Sequence, residues 1–93
     1  LISFQERAIV PAHVVLQDVE GESVLLNLNS EQYFALDEVG TRIWAALTAA
    51  ASVQEAYEVL LAEFDVEPAV LRADIEALIG QLVENGLLEL AAG

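Results

Sequence analysis

The chain contains no cysteine, no methionine and no lysine. Without cysteine there is no disulfide, no thiolate metal site, no CxxC redox pair and no thiol nucleophile. Cations are scarce: Arg7, Arg42 and Arg72 stand against 16 acidic residues, giving a formal charge of -13. Such a surface repels phosphate backbones and draws in cationic partners at low salt. Histidine occurs once, as His13 near the start of a predicted strand, where a packing or turn role fits better than catalysis. Gly21, Gly40, Gly80, Gly86 and Gly93 stand singly, so no phosphate-cradling loop is present. No apolar run approaches the roughly 20 residues that span a bilayer, because charged residues interrupt each candidate. The segment from Leu1 to Arg7 lacks a basic stretch followed by a long apolar one, so no signal peptide and a cytoplasmic location are expected.

What is abundant is apolar. The 93 residues are 56% hydrophobic, enough for one packed core, and residues 1–93 are expected to form a single domain. Its strands fall at about 12–36 and its helices at about 38–85. Pro11 stops the N-terminal segment, and Ala12 to Val19 is rich in β-branched residues. Glu20-Gly21-Glu22 supplies a turn, Ser23 to Leu28 a second strand, and Asn29-Ser30-Glu31 a second turn leading into Gln32 to Leu36. Short connections make this a three-stranded antiparallel meander, which needs helices over one face to be stable.

Asp37 is placed to cap the first helix, whose inward positions are Val39, Ile43, Trp44 and Leu47. Gly40 inside that pattern costs about 1 kcal/mol relative to alanine, which points to a close backbone contact. Ser52 with Glu55 three residues on reads as a capping box, opening a helix with Ala56, Val59, Leu60 and Phe64 on one side. Glu67-Pro68 opens the third helix, with an inward stripe of Leu71, Ile75, Leu78 and Leu82 and with Ile79 beside it. Asn85-Gly86 closes it in the left-handed manner, and Leu87 to Leu90 follows as a short strand or extended tail. The fold class expected is therefore α+β, a three-stranded antiparallel meander followed by a three-helix bundle of winged helix-turn-helix type.

That type binds nucleic acid in many proteins, but a recognition helix needs arginine, lysine or amide groups towards base edges. Pro68 to Asn85 offers only Arg72 among Asp74, Glu76 and Glu84. The carboxylates are scattered over predicted surfaces and turns, so neither a metal site nor a glycosidase pair is indicated. An acyl or peptidyl carrier would need an Asp-Ser-Leu-type attachment site, and Ser3, Ser23, Ser30 and Ser52 all lack that context. The reading is of a non-enzyme with no cofactor and no metal.

Binding without chemistry remains. The third strand of a meander can lie at an edge, where unpaired N–H and C=O groups accept a further strand from a peptide. The residues expected to do this are Gln32, Tyr33, Phe34, Ala35 and Leu36. Specificity then requires pockets against a neighbouring helix. On the third helix the flank next to the inward stripe is Val70, Asp74, Ala77, Leu78 and Gln81, with small Ala77 leaving room for a large peptide side chain.

The motifs Tyr33-Phe34-Ala35-Leu36-Asp37, Gly40-Thr41-Arg42-Ile43-Trp44, Ser52-Val53-Gln54-Glu55 and Gly86-Leu87-Leu88 occur in this order. Together they resemble the PqqD-like family, the RiPP recognition element, over about Val14 to Leu90. The resemblance implies an adaptor that holds the leader of a ribosomally made precursor peptide as an antiparallel strand against its third strand. It further implies delivery to a separate modification enzyme. In lasso-peptide systems, which the Ile43-Trp44 pair favours, that partner is a leader peptidase of the transglutaminase-like cysteine protease type. In PQQ-type systems it is a radical SAM enzyme.

Overall fold

The computed structural model describes residues 2–92. Its elements, in chain order, are β1 (Glu6–Ile9), β2 (Val14–Val19), β3 (Glu22–Asn27), β4 (Gln32–Leu36), α1 (Glu38–Ala49), α2 (Val53–Glu63), α3 (Pro68–Glu84) and β5 (Glu89–Ala92). The expected meander is present as an antiparallel sheet in the order β2-β3-β4. Its first strand starts at Val14 rather than Ala12, because the Val14 N–H bonds back to the Pro11 carbonyl at 3.1 Å and turns the chain there. Glu20 and Gly21, both at positive φ, make the two-residue β2–β3 turn.

A second sheet was not anticipated. β1 pairs antiparallel with β5, Glu6 opposite Ala92 and Ile9 opposite Glu89. The tail therefore forms its strand two residues later than Leu87, while Leu87 and Leu88 themselves are buried in the core. The N-terminal segment is anchored further by the Gln54 N–H, which donates to the Phe4 carbonyl at 2.7 Å. The Arg72 guanidinium also lies 3.8 Å over the Phe4 ring. A stacked cation at such a partly exposed site contributes about 0.5–1 kcal/mol.

Helix starts follow the sequence closely. The Asp37 carboxylate accepts the Gly40 N–H at 2.7 Å, and the Ser52 hydroxyl accepts the Glu55 N–H at 3.1 Å. Glu55 reaches back to the Ala51 N–H rather than to that of the cap residue, a one-residue variation on the capping box. Gly40 does sit in a tight contact: a Cβ there would lie 3.2 Å from the Leu36 side chain and 3.3 Å from the Asp37 carboxylate.

The core joins both sheets and all three helices through Leu25, Leu36, Ile43, Trp44, Leu47, Leu60, Ile75 and Leu82 among others. Each such side chain contributes about 1.5–3 kcal/mol on burial. Three inward assignments need correction. Val39 and Val59 are exposed: the first turn of α1 meets the sheet through Gly40, against Leu36, and Thr41, bonded to Ser23, while α2 buries Val53, Ala56 and Leu60. Of the neighbours Leu78 and Ile79 in α3, it is Ile79 that is fully buried, and Leu78 is only half-buried at the margin of the core. The helix is rotated slightly from the expected stripe, so Leu71, Ile75, Ile79 and Leu82 face inward.

Candidate peptide-binding edge

β3 alternates strictly: Ser23, Leu25 and Asn27 are buried towards the helices, while Val24 and Leu26 lie on the opposite face. The same parity decides where backbone groups point. The Leu28 N–H donates to the His13 carbonyl at 2.9 Å, across the β2 side. Leu26 and Val24 therefore also address β2, and Asn27, Leu25 and Ser23 address β4. Consistent with this, the Asn27 carbonyl accepts the Glu31 N–H at 2.8 Å. Since Leu25 stands opposite Phe34 and Ser23 opposite Leu36, the backbone groups of Gln32, Phe34 and Leu36 are committed to β3. Those of Tyr33 and Ala35 point outwards. Among the described residues β4 has no strand on its other side, so these two residues offer two N–H donors and two C=O acceptors at the spacing an added strand requires.

The five predicted strand residues thus divide. Tyr33 and Ala35 hold the free backbone groups, and the Tyr33 side chain is 76% exposed. Phe34 is half-buried and packs on the core, Gln32 is exposed, and the Leu36 side chain is buried. Leu36 borders the edge without presenting a group to it.

Beside the N-terminal half of β4 lies a groove of about 360 Å³ lined by Asn27, Glu31, Gln32, Tyr33, Phe34, Asn85 and Leu87. Phe34 and Leu87 supply its apolar part, and Tyr33, three amide residues and one carboxylate supply the rest. Its far wall is the end of α3. The predicted flank leads to it: Val70, Asp74, Ala77, Gln81 and Asn85 recur at three- and four-residue steps along one row of the helix, and all are exposed. Leu78 is half-buried next to that row. Only the continuation of the row, Asn85, lines the groove.

Asn27 holds this corner together. Its side-chain oxygen accepts the N–H groups of Asn29 and Ser30 at 3.0 and 3.2 Å, and its amide nitrogen donates to the Asn85 carbonyl at 3.1 Å. His13 Nε2 bonds to the Gly86 carbonyl at 3.1 Å. Gly86 is at φ +69, and a Cβ there would come within 3.0 Å of the Asn27 amide, so glycine is required both by conformation and by contact. Sequence reasoning missed Asn27, Glu31, Asn85 and Leu87, having read them as strand, turn, helix-closing and tail residues respectively. Asn27 carried a signal, since it shares its parity with Ser23 and Leu25 and so had to face inward.

The outer face of the sheet is apolar too. Val15, Val24, Leu26 and Tyr33, with Gln17, line a shallow depression on the side away from the helices.

The site is thus an open strand edge beside a helix-walled groove, a geometry that leaves room for an extended chain. Residues 22–88 match the family model described as coenzyme PQQ synthesis protein D (PqqD). The chain belongs to this family. Among solved structures it is similar to "TbiB1 in complex with the TbiA(beta) leader peptide", with 32% identity, a TM-score of 0.80, and coverage of 86% of this chain and 93% of that one. It is also similar to "lasso peptide synthetase B1 complexed with the leader peptide", with 25% identity, a TM-score of 0.79, and coverage of 89% and 98%. Comparison with curated proteins gives no match.

Proposed function

We propose that this chain is a non-catalytic adaptor that binds the leader of a ribosomally made precursor peptide by strand addition to β4. The observation that carries the reading is the pair of outward-facing backbone units at Tyr33 and Ala35, next to a groove that can take side chains. The likeness to two proteins seen with leader peptides supports it. Backbone pairing supplies affinity, while specificity comes from the groove and from the α3 row of Val70, Asp74, Ala77 and Gln81 with Leu78 beside it.

The same likeness supports a lasso-peptide pathway, in which the adaptor would present its cargo to a leader peptidase of the transglutaminase-like cysteine protease type. The family model's name favours the second reading, delivery to a radical SAM enzyme in a PQQ-type pathway. Titration of a fluorescent leader peptide from the precursor encoded beside this chain tests binding. Saturable binding without turnover is expected, and the absence of any response would remove the reading. The identity of the neighbouring modification enzyme, protease or radical SAM, separates the two pathways.

A further inference from the structure

The groove beside β4 has a charge pattern that backbone pairing does not explain. Glu31 stands on its rim with φ +61, exposed, directly before the first residue of β4. The opposite wall is the carbonyl end of the 17-residue α3, whose last turn carries no basic residue. That end is the negative pole of the helix dipole, although its Gln81, Leu82, Val83 and Asn85 carbonyls are already hydrogen-bonded within the chain. Between the two lie the Asn27 and Asn85 amides, over an apolar surface of Phe34 and Leu87.

None of the three arginines compensates Glu31. Arg42 is paired with Glu63, Arg72 stacks on Phe4 and lies 3.8 Å from Glu76, and Arg7 belongs to β1 on the other sheet. Among the described residues Glu31 forms no ion pair. The groove is also continuous with the free edge: Gln32 and Phe34 form part of its wall, and a strand added to Tyr33 and Ala35 places every second side chain on that same face.

Resting on the leader-binding reading above, we propose that this groove is a subsite for a lysine or arginine side chain of the bound peptide, selected by Glu31. The aliphatic stem would lie along Phe34, with the buried Leu87 beneath, and the charged head would reach the Glu31 carboxylate. For a strand added antiparallel, the selected residue falls in its C-terminal half, across from Gln32 to Phe34.

A random peptide display library, with peptides long enough to span β4, tests this with the intact chain. Selection on the native protein should enrich lysine or arginine at one register position, and selection on Glu31→Lys should replace it there by aspartate or glutamate. One selected peptide is then made with its cation or with norleucine at that position. Glu31→Gln should weaken binding of the cationic peptide about three- to fivefold, as for a solvent-exposed ion pair, and leave the norleucine peptide unchanged. Asp18→Asn, on the far strand of the sheet, should alter neither. Peptides that bind without a positional cation preference, or an equal loss for both peptides, would overturn the subsite while leaving leader binding intact. Failure to select any peptide on the native protein would instead count against strand addition itself.

Discussion

Asn27 and Asn85, 58 positions apart, are joined by a 3.1 Å hydrogen bond from a nearly buried side chain to the carbonyl just past the end of α3. Because the same amide also accepts two N–H groups of the β3–β4 turn, it couples the position of that turn to the helix end across the groove. Asn27→Ala leaves these groups without partners and should cost about 1–3 kcal/mol. Urea denaturation measures it. A midpoint equal to that of the native chain would show that the groups are satisfied by solvent.

Proline at two adjacent positions of β4 should behave in opposite ways. The Ala35 N–H points to the open edge, so Ala35→Pro should stay folded by circular dichroism and lose at least about tenfold in leader affinity, or ~1.4 kcal/mol. Phe34 pairs with Leu25, so Phe34→Pro removes a ladder bond and should destabilise the protein itself.

On α3, Ala77→Trp adds bulk to the row that leads to the groove and should weaken leader binding by at least about 1.4 kcal/mol, roughly tenfold. Glu84→Gln, a surface change that adds no bulk, should not. Fluorescence titration of both variants decides this, and equal affinities would remove the middle of α3 from the site.

Away from the edge, Arg42 grips Glu63 through two 2.7 Å hydrogen bonds, tying α1 to the end of α2. Hydrogen bonding from the guanidinium, more than its charge, holds the Glu63 carboxyl below its ordinary range and raises Arg42. A carboxyl lowered in the folded state stabilises it above the ordinary carboxylate range, and the effect is lost as pH falls through the lowered value. Arg42→Gln should therefore be slightly less stable than the native chain at neutral pH and equal to it in acid. A gap that persists in acid would assign Arg42's contribution to packing of its stem.

The sequence made the meander, the three helices and their caps legible because turns and caps are local signals: Glu20-Gly21, Asp37 and Ser52 each act on neighbours within three residues. Ile79 and Leu78 were exchanged because one 100° step on a helix separates core from margin, and the exact rotation is set by partners distant in sequence. β1 escaped notice for a similar reason, since its four residues become a strand only through pairing with β5, some eighty positions away. Asn85 and Leu87 join the groove through the Asn27 latch, a long-range hydrogen bond with no local signature.

Strand addition at β4 is tested most directly by amide hydrogen exchange, followed by NMR, before and after addition of the leader peptide. The Tyr33 and Ala35 amides, open in the free protein, should become protected in the complex, while Phe34, already bonded to β3, changes little. Protection appearing instead along the free edge of β2, at Val15 to Val19, or no new protection in a saturated complex, would contradict it.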